Sequence, residues 1–104
     1  MMAESAVLVV IEIVSVEDPA GLQTYAQRAS ALIGSFGGQL VAQGGVPVDE
    51  GAAFAPLVIQ RWPSEAAFRA WIASDAYRPL NELRLASATM KAAIVPTSVG
   101  PDAA

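Results

Sequence analysis

The chain has 104 residues, a formal net charge of −4, and neither cysteine nor histidine. Its length suits one domain with one core, commonly about 100 to 150 residues. The absent thiols exclude disulfides, thiolate catalysis and zinc–cysteine sites, and the absent imidazoles remove the commonest general base, haem ligand and transition-metal ligand.

Six scattered cations leave no basic patch for a phosphate backbone or an anionic membrane surface, so neither nucleic acid nor membrane is expected as a partner. Charged residues are 15% of the chain against roughly 25% in an average soluble domain, which points to surface buried by association. Alanine tempers this, because it inflates the apolar 54% while burying little area per residue.

Val7 to Val14 reads as a strand, VLVVIEIV, that is apolar on both faces. Glu4 before it and Glu12 within it argue against a secretory signal, which needs a basic segment first and small residues at a cleavage site. No other run approaches the roughly 18 to 20 apolar residues of a membrane span, and a cytoplasmic protein is the expectation. After Val16, Asp18 as N-cap and Pro19 at the first helical position open a helix. Leu22, Tyr25, Ala26, Ala29, Ile33 and Phe36 form its buried stripe, and Gly37 can take the left-handed C-terminal cap.

Gln39 to Gln43 reads as a second strand closed by Gly44-Gly45. The segment Val46 to Phe54 is too long for a tight hairpin. A third strand, Pro56 to Trp62, stops at Pro63, and Ser64 caps a short helix with Glu65 in its first turn. Phe68, Trp71 and Ile72 make its buried stripe. Ser74-Asp75 can cap a further helix to about Thr89, with Pro79 tolerated in its first turn. Met90 to Val95 is the last strand, and residues 97–104 have the composition of a flexible tail behind a single domain over 1–96.

The predicted order is strand, helix, strand, strand, helix, strand. This is the ferredoxin-like βαββαβ pattern of the α+β class, helices on one face of an antiparallel sheet. The other face is left bare. Because the first strand is apolar on both sides, that bare face is expected to meet a second copy, two sheets closing into a barrel-like enclosure.

Asp18-Pro19, Tyr25, Gly37-Gly38, Gly44-Gly45, Glu50-Gly51, Pro63-Ser64, Ala67, Trp71 and Ser74-Asp75-Ala76-Tyr77, followed by Leu80 and Arg84, together resemble the bacterial domain-of-unknown-function family thirteen-thirty. The resemblance implies a dimeric α+β barrel fold, in a superfamily of cofactor-free monooxygenases, muconolactone-type isomerases, dehydratases and haem-dependent members. It implies no particular reaction. Two positions depart from the family's pattern: Gln43 stands where an arginine is usual, and Arg61 where an acid is usual. If strands two and three are hairpin neighbours, Gln43 and Arg61 are expected side by side on one face, the positive charge having changed strands.

Candidate catalytic residues are Glu12, Tyr25 and Tyr77, and candidate ligand-binding residues are Gln43, Glu50, Arg61 and Arg84. Glu12 either lines a cavity as acid or base, its pKa raised by burial, or sits near the barrel mouth, solvated or paired with an arginine. Tyr77, Leu80 and Arg84 share one helical stripe, so Arg84 either holds a substrate carboxylate or is a structural arginine that caps carbonyls or pairs with Glu12 or Asp75. Tyr25 suits a core tyrosine with a satisfied hydroxyl as well as a phenolic donor. Trp62 and Trp71 read as packing or dimer contacts. The glycine pairs lack the spacing of a dinucleotide loop, and no cofactor or metal site is expected.

Two function classes fit these residues. One is a cofactor-free enzyme acting on a small organic acid, with a carboxylate base and arginine and tyrosine stabilising developing negative charge. The other is a non-catalytic homodimer that binds a small organic anion or serves as an accessory protein. An arginine left unpaired in a cavity would favour an anionic ligand in either class.

Overall fold

A computed structural model describes residues 5–97, so most of the tail expected over 97–104 lies outside the described residues. Four strands and three helices follow in the order β1 (Val7–Val16), α1 (Pro19–Ile33), β2 (Gln39–Gly44), β3 (Leu57–Trp62), α2 (Glu65–Ile72), α3 (Arg78–Ser87) and β4 (Ala88–Pro96). The strands form one antiparallel sheet in the order β2-β3-β1-β4. This is the α+β, ferredoxin-like βαββαβ arrangement expected from the sequence.

Local chemistry explains the boundaries. Asp18 caps α1 by accepting the Gly21 N–H at 3.1 Å, with Pro19 in the first turn where its missing N–H costs nothing. The helix tightens into a 3-10 turn at Gly34–Phe36 and ends at Gly37, whose φ of +94° only glycine adopts without strain. At Gly38 a side chain would meet the Trp62 ring at 2.6 Å, so the bare backbone is what lets that indole close the core. Ser64 caps α2 by accepting the Ala67 N–H at 3.0 Å. Ser74 closes the turn before α3 through the Tyr77 N–H, while Asp75, expected to share in the capping, pairs with Arg78 instead.

Alternation along the strands separates two faces. The inner face carries Val7, Val9, Ile11 and Ile13 of β1, Val58, Gln60 and Trp62 of β3, and Met90, Ala92 and Ile94 of β4. Val9, Trp62 and Trp71 form the most deeply buried part of the core, with Ala29, Ile33, Phe68, Tyr77 and Leu80 around them. Trp62 stacks on Trp71 at 5.3 Å between centroids and meets Phe68 edge-on at 5.6 Å. Both tryptophans thus serve packing, and the Trp62 indole N–H donates to the buried Gln60 Oε1 at 2.9 Å.

The outer face carries three cross-sheet rows: Gln39, Arg61, Leu8 and Val95; then Ala42, Ile59, Val10 and Ala93; then Gly44, Leu57, Glu12 and Lys91. Its centre is apolar, and no helix among the described residues covers it. The long segment between β2 and β3 is tied to this side of the sheet, because the Ala55 N–H donates to Glu12 Oε2 at 3.0 Å.

Register corrects one expectation. Gln43 pairs with Val58 on the inner side, whereas Arg61 lies between Gln39 and Leu8 on the outer side. The cause is a bulge between Leu40 and Ala42 that takes one extra residue, Val41, out of register. An unbroken register would have put Gln43 opposite Leu57 on the face of Arg61; a slip of one exchanges the faces. The two residues do not meet, and Arg61 does not replace a charge lost at Gln43.

Candidate functional site

Between the helices and the inner sheet face lies a cavity of about 680 Å³, partly open to solvent. That volume falls within the range of small-molecule sites, about 300 to 1,000 Å³. Its walls are mostly aliphatic and aromatic. Against that background stand Tyr25 and Ser30 on α1, Gln43 and Gln60 on the sheet, the pair Glu65 and Arg69 on α2, and Tyr77, Asn81 and Arg84 at the start of α3 and along it. Helical spacing brings the last three together, since residues three and four apart lie one above another on a helix face.

The two tyrosines are joined across the fold. Their hydroxyls share a hydrogen bond of 2.9 Å, and the rings meet edge-on at 6.3 Å. One hydroxyl hydrogen is used between them, so the pair keeps a second hydrogen to offer. Burial pushes the Tyr25 phenol well above its ordinary pKa, the neighbouring Tyr77 hydroxyl adds to the rise, and the charge of Arg84 works against it. Tyr25 is therefore a neutral hydrogen-bond donor, and Arg84 is near enough for its charge to act on it. Trp71, 2% exposed, lies against Tyr77 with centroids 4.4 Å apart and holds the ring in place; its own indole nitrogen is buried without a partner.

Arg84 donates through Nε and Nη2 to the Asn81 Oδ1 atom, at 3.2 and 2.7 Å. Among the described residues it makes no ion pair. Neither acid weighed for it from the sequence takes that role: Asp75 pairs with Arg78 at 2.9 Å, and Glu12 with Lys91 at 3.1 Å. Glu65, the acid on the cavity wall, is held by Arg69 at 3.3 Å.

Tyr25, Tyr77, Gln43 and Arg84 therefore border one cavity, while Glu12, Glu50 and Arg61 do not. Glu12 projects from the outer face as β1 alternates, away from the cavity. Its carboxyl is held below the ordinary 4.5, first by the Ala55 N–H and next by Lys91, which together outweigh desolvation. A raised pKa was one of two sequence expectations, and the hydrogen bonds overturn it; the other had Glu12 solvated or paired with an arginine, and its partner is Lys91. Glu50 is exposed in the segment between β2 and β3, and Arg61 is exposed beside Leu8. Asn81 and Gln60, with Ser30 and the paired Glu65 and Arg69, are polar cavity residues that the sequence reading did not name as site candidates. Asn81 lies four residues after Tyr77 and three before Arg84, a spacing that would have found it; Gln60 was hidden by attention to its neighbour Arg61. Among the described residues no group of acids could hold a metal ion, and no helix is long and apolar enough to cross a membrane.

Solved structures share this fold at low sequence identity. A Rhodopseudomonas palustris protein of unknown function, RPA0582, is 19% identical and superposes with a TM-score of 0.76 over 94% of this chain and 85% of that one. SnoaB, a cofactor-independent oxygenase from Streptomyces nogalater, is 18% identical with a TM-score of 0.68 over 93% of this chain and 97% of that one. A Bacteroides fragilis protein described as dimeric, of unknown function and of ferredoxin-like fold, is 6% identical with a TM-score of 0.51 over 91% and 99%. At such identities the likeness establishes the fold alone. No protein of curated function matches the chain. The model of the family Domain of unknown function (DUF1330) matches residues 6–98, nearly the whole of the described fold, and the chain belongs to that family.

Proposed function

We propose that this chain works in the cytoplasm as a homodimer whose protomers each bind the anion of a small organic acid in the cavity between helices and sheet, and that it is a cofactor-free enzyme of isomerase, lyase or monooxygenase type. One observation carries the reading: Arg84 borders a largely apolar cavity, oriented by a neutral amide and, among the described residues, paired with no carboxylate. A guanidinium in such surroundings attracts a carboxylate, enolate or phenolate, and the spare hydrogen of the tyrosine pair can donate to the same charge. Apolar walls supply the rest of the affinity.

Assembly is supported by the outer face, where Leu8, Val10, Leu57 and Ile59 form an uncovered apolar centre, and by the dimeric description of the Bacteroides fragilis neighbour. Obligate interfaces of this kind bury more than about 2,000 Å² in total. The fold of the Streptomyces oxygenase lends the enzyme reading support through likeness of architecture, not of site.

With Glu12 on the outer face, the cavity lacks a free carboxylate base among the described residues. The enzyme reading thus favours substrates acidic enough to enter as anions, which the site then stabilises. The same feature favours the second reading, a binding dimer without turnover. Displacement of the fluorescent anion anilinonaphthalene sulfonate by a panel of enolisable and phenolic acids tests both. Arg84→Met, which keeps the aliphatic stem, should weaken the probe about tenfold or more while the fold is kept. Undiminished binding would remove the anion site. Acids that displace the probe but persist unchanged in the presence of protein and dioxygen would leave the binding dimer as the function.

A further inference from the structure

The chain arranges its arginines in two ways on neighbouring helices. Arg69 lies one turn after Glu65 and bonds to it, and Arg78 lies three residues after Asp75 and bonds to it; both pairs are exposed and neutralise themselves. Arg84 repeats the three-residue spacing of Asp75 and Arg78 with an amide in the acid's place. The single oxygen Asn81 Oδ1 receives two hydrogen bonds from the guanidinium fork, where a carboxylate would offer two oxygens and a negative charge. Of the two arginines on the cavity wall, Arg69 keeps its acid partner Glu65, and the exchange of acid for amide falls on the other, Arg84.

We propose that Asn81 is a positioning residue that fixes the Arg84 guanidinium without cancelling its charge, and thereby makes the cavity select anions over neutral molecules of the same shape. The inference rests on the reading of Arg84 as the anion holder. With Oδ1 occupied by Arg84, the Asn81 side chain keeps only donors, its two amide hydrogens, to present elsewhere. Arg84 keeps the hydrogens of Nη1 and one of Nη2. The tyrosine pair adds one more. Donors thus dominate this side of the cavity, and a ligand placed there is read by its acceptor oxygens and its negative charge. An aspartate at this position would preserve the fork, strengthen each hydrogen bond, and pair the cation internally, so that an entering anion would have to compete with a tethered one.

The test compares two probes of nearly the same shape, anilinonaphthalene sulfonate and the neutral phenylnaphthylamine, by fluorescence titration of the dimer. In Asn81→Asp the sulfonate should bind at least about tenfold more weakly while the neutral probe binds within about twofold of the parent. The thermal midpoint should be unchanged or higher, because an ion pair replaces a neutral bond. In Asn81→Ala the ratio of anion to neutral affinity should also fall, by less, as Arg84 loses its fixed orientation; this variant decides the matter if Asn81→Asp does not fold. An anion-to-neutral ratio equal to the parent's in the folded Asn81 variants, with Arg84→Met still losing the sulfonate, overturns the role of Asn81 and leaves the anion site standing. A ratio that Arg84→Met also leaves unchanged overturns both.

Discussion

The two faces of the sheet are made from alternate residues of the same strands and differ in how they treat charge. On the outer face Glu12 is met by Lys91 and by the Ala55 N–H, and the apolar centre around Val10 and Ile59 stands between that neutral pair and Arg61. On the inner face Arg84 stands beside Asn81 and, among the described residues, pairs with no acid, over walls of valine, isoleucine and tryptophan. Both faces have the composition to bury surface. The outer one has an apolar centre between rows that carry charge, suited to a second sheet, and the inner one keeps a volume and an unbalanced charge suited to a small molecule.

The largest effect should come from charging the outer centre. Val10→Asp places a carboxylate opposite Ile59 and Ala93, where a partner sheet would desolvate it. An uncompensated buried charge costs about 3–5 kcal/mol, so sedimentation at micromolar concentration should find monomer where the parent gives dimer. A variant that sediments as a full dimer would show that this face is not the interface.

Next in size is a contrast within the inner core. Trp62→Phe removes the donor that satisfies the buried Gln60 amide oxygen, whereas Trp71→Phe removes an indole nitrogen that has no partner. Both lose volume, and Trp62→Phe should cost about 1–3 kcal/mol more in urea denaturation. Equal losses would mean that Gln60 finds another donor. Tyr77→Phe should then cost about 0.5–1.5 kcal/mol, because it breaks the hydroxyl pair while keeping the ring against Trp71.

The smallest effect belongs to Glu12, whose partner Lys91 has a largely exposed side chain. Its pKa is lowered in the folded protein, so its stabilisation is complete above the ordinary carboxylate pKa and is lost as pH falls through the lower folded value. Glu12→Gln should therefore be less stable than the parent at neutral pH, the gap closing below about pH 4. A gap that persists in acid would mean that the lost interaction is not ionic.

These contrasts also show what could be read in advance. The elements were legible because their signals are local: Asp18-Pro19 opens α1, Gly37 ends it, Ser64 opens α2, and two-sided hydrophobicity marks β1. The α3 stripe was legible for the same reason, and it placed Tyr77 and Arg84 in one site. What failed depended on register or on partners distant in sequence. A bulge at Val41 shifts β2 by one residue and sends Gln43 to the opposite face from Arg61, and no composition in that strand announces it. The face of Glu12 followed from strand alternation once the helix side was known, but its low pKa depends on Ala55 and Lys91, 43 residues away for the former and across β4 for the latter.

Native mass spectrometry of the parent and Arg84→Met in the presence of anilinonaphthalene sulfonate tests the division between the faces most directly. The parent should appear as a dimer carrying up to two probe molecules, and Arg84→Met as an equally abundant dimer largely free of probe, since the outer face is intact and the inner site is not. Equal occupancy in both dimers, or loss of the dimer together with the probe, would contradict the account.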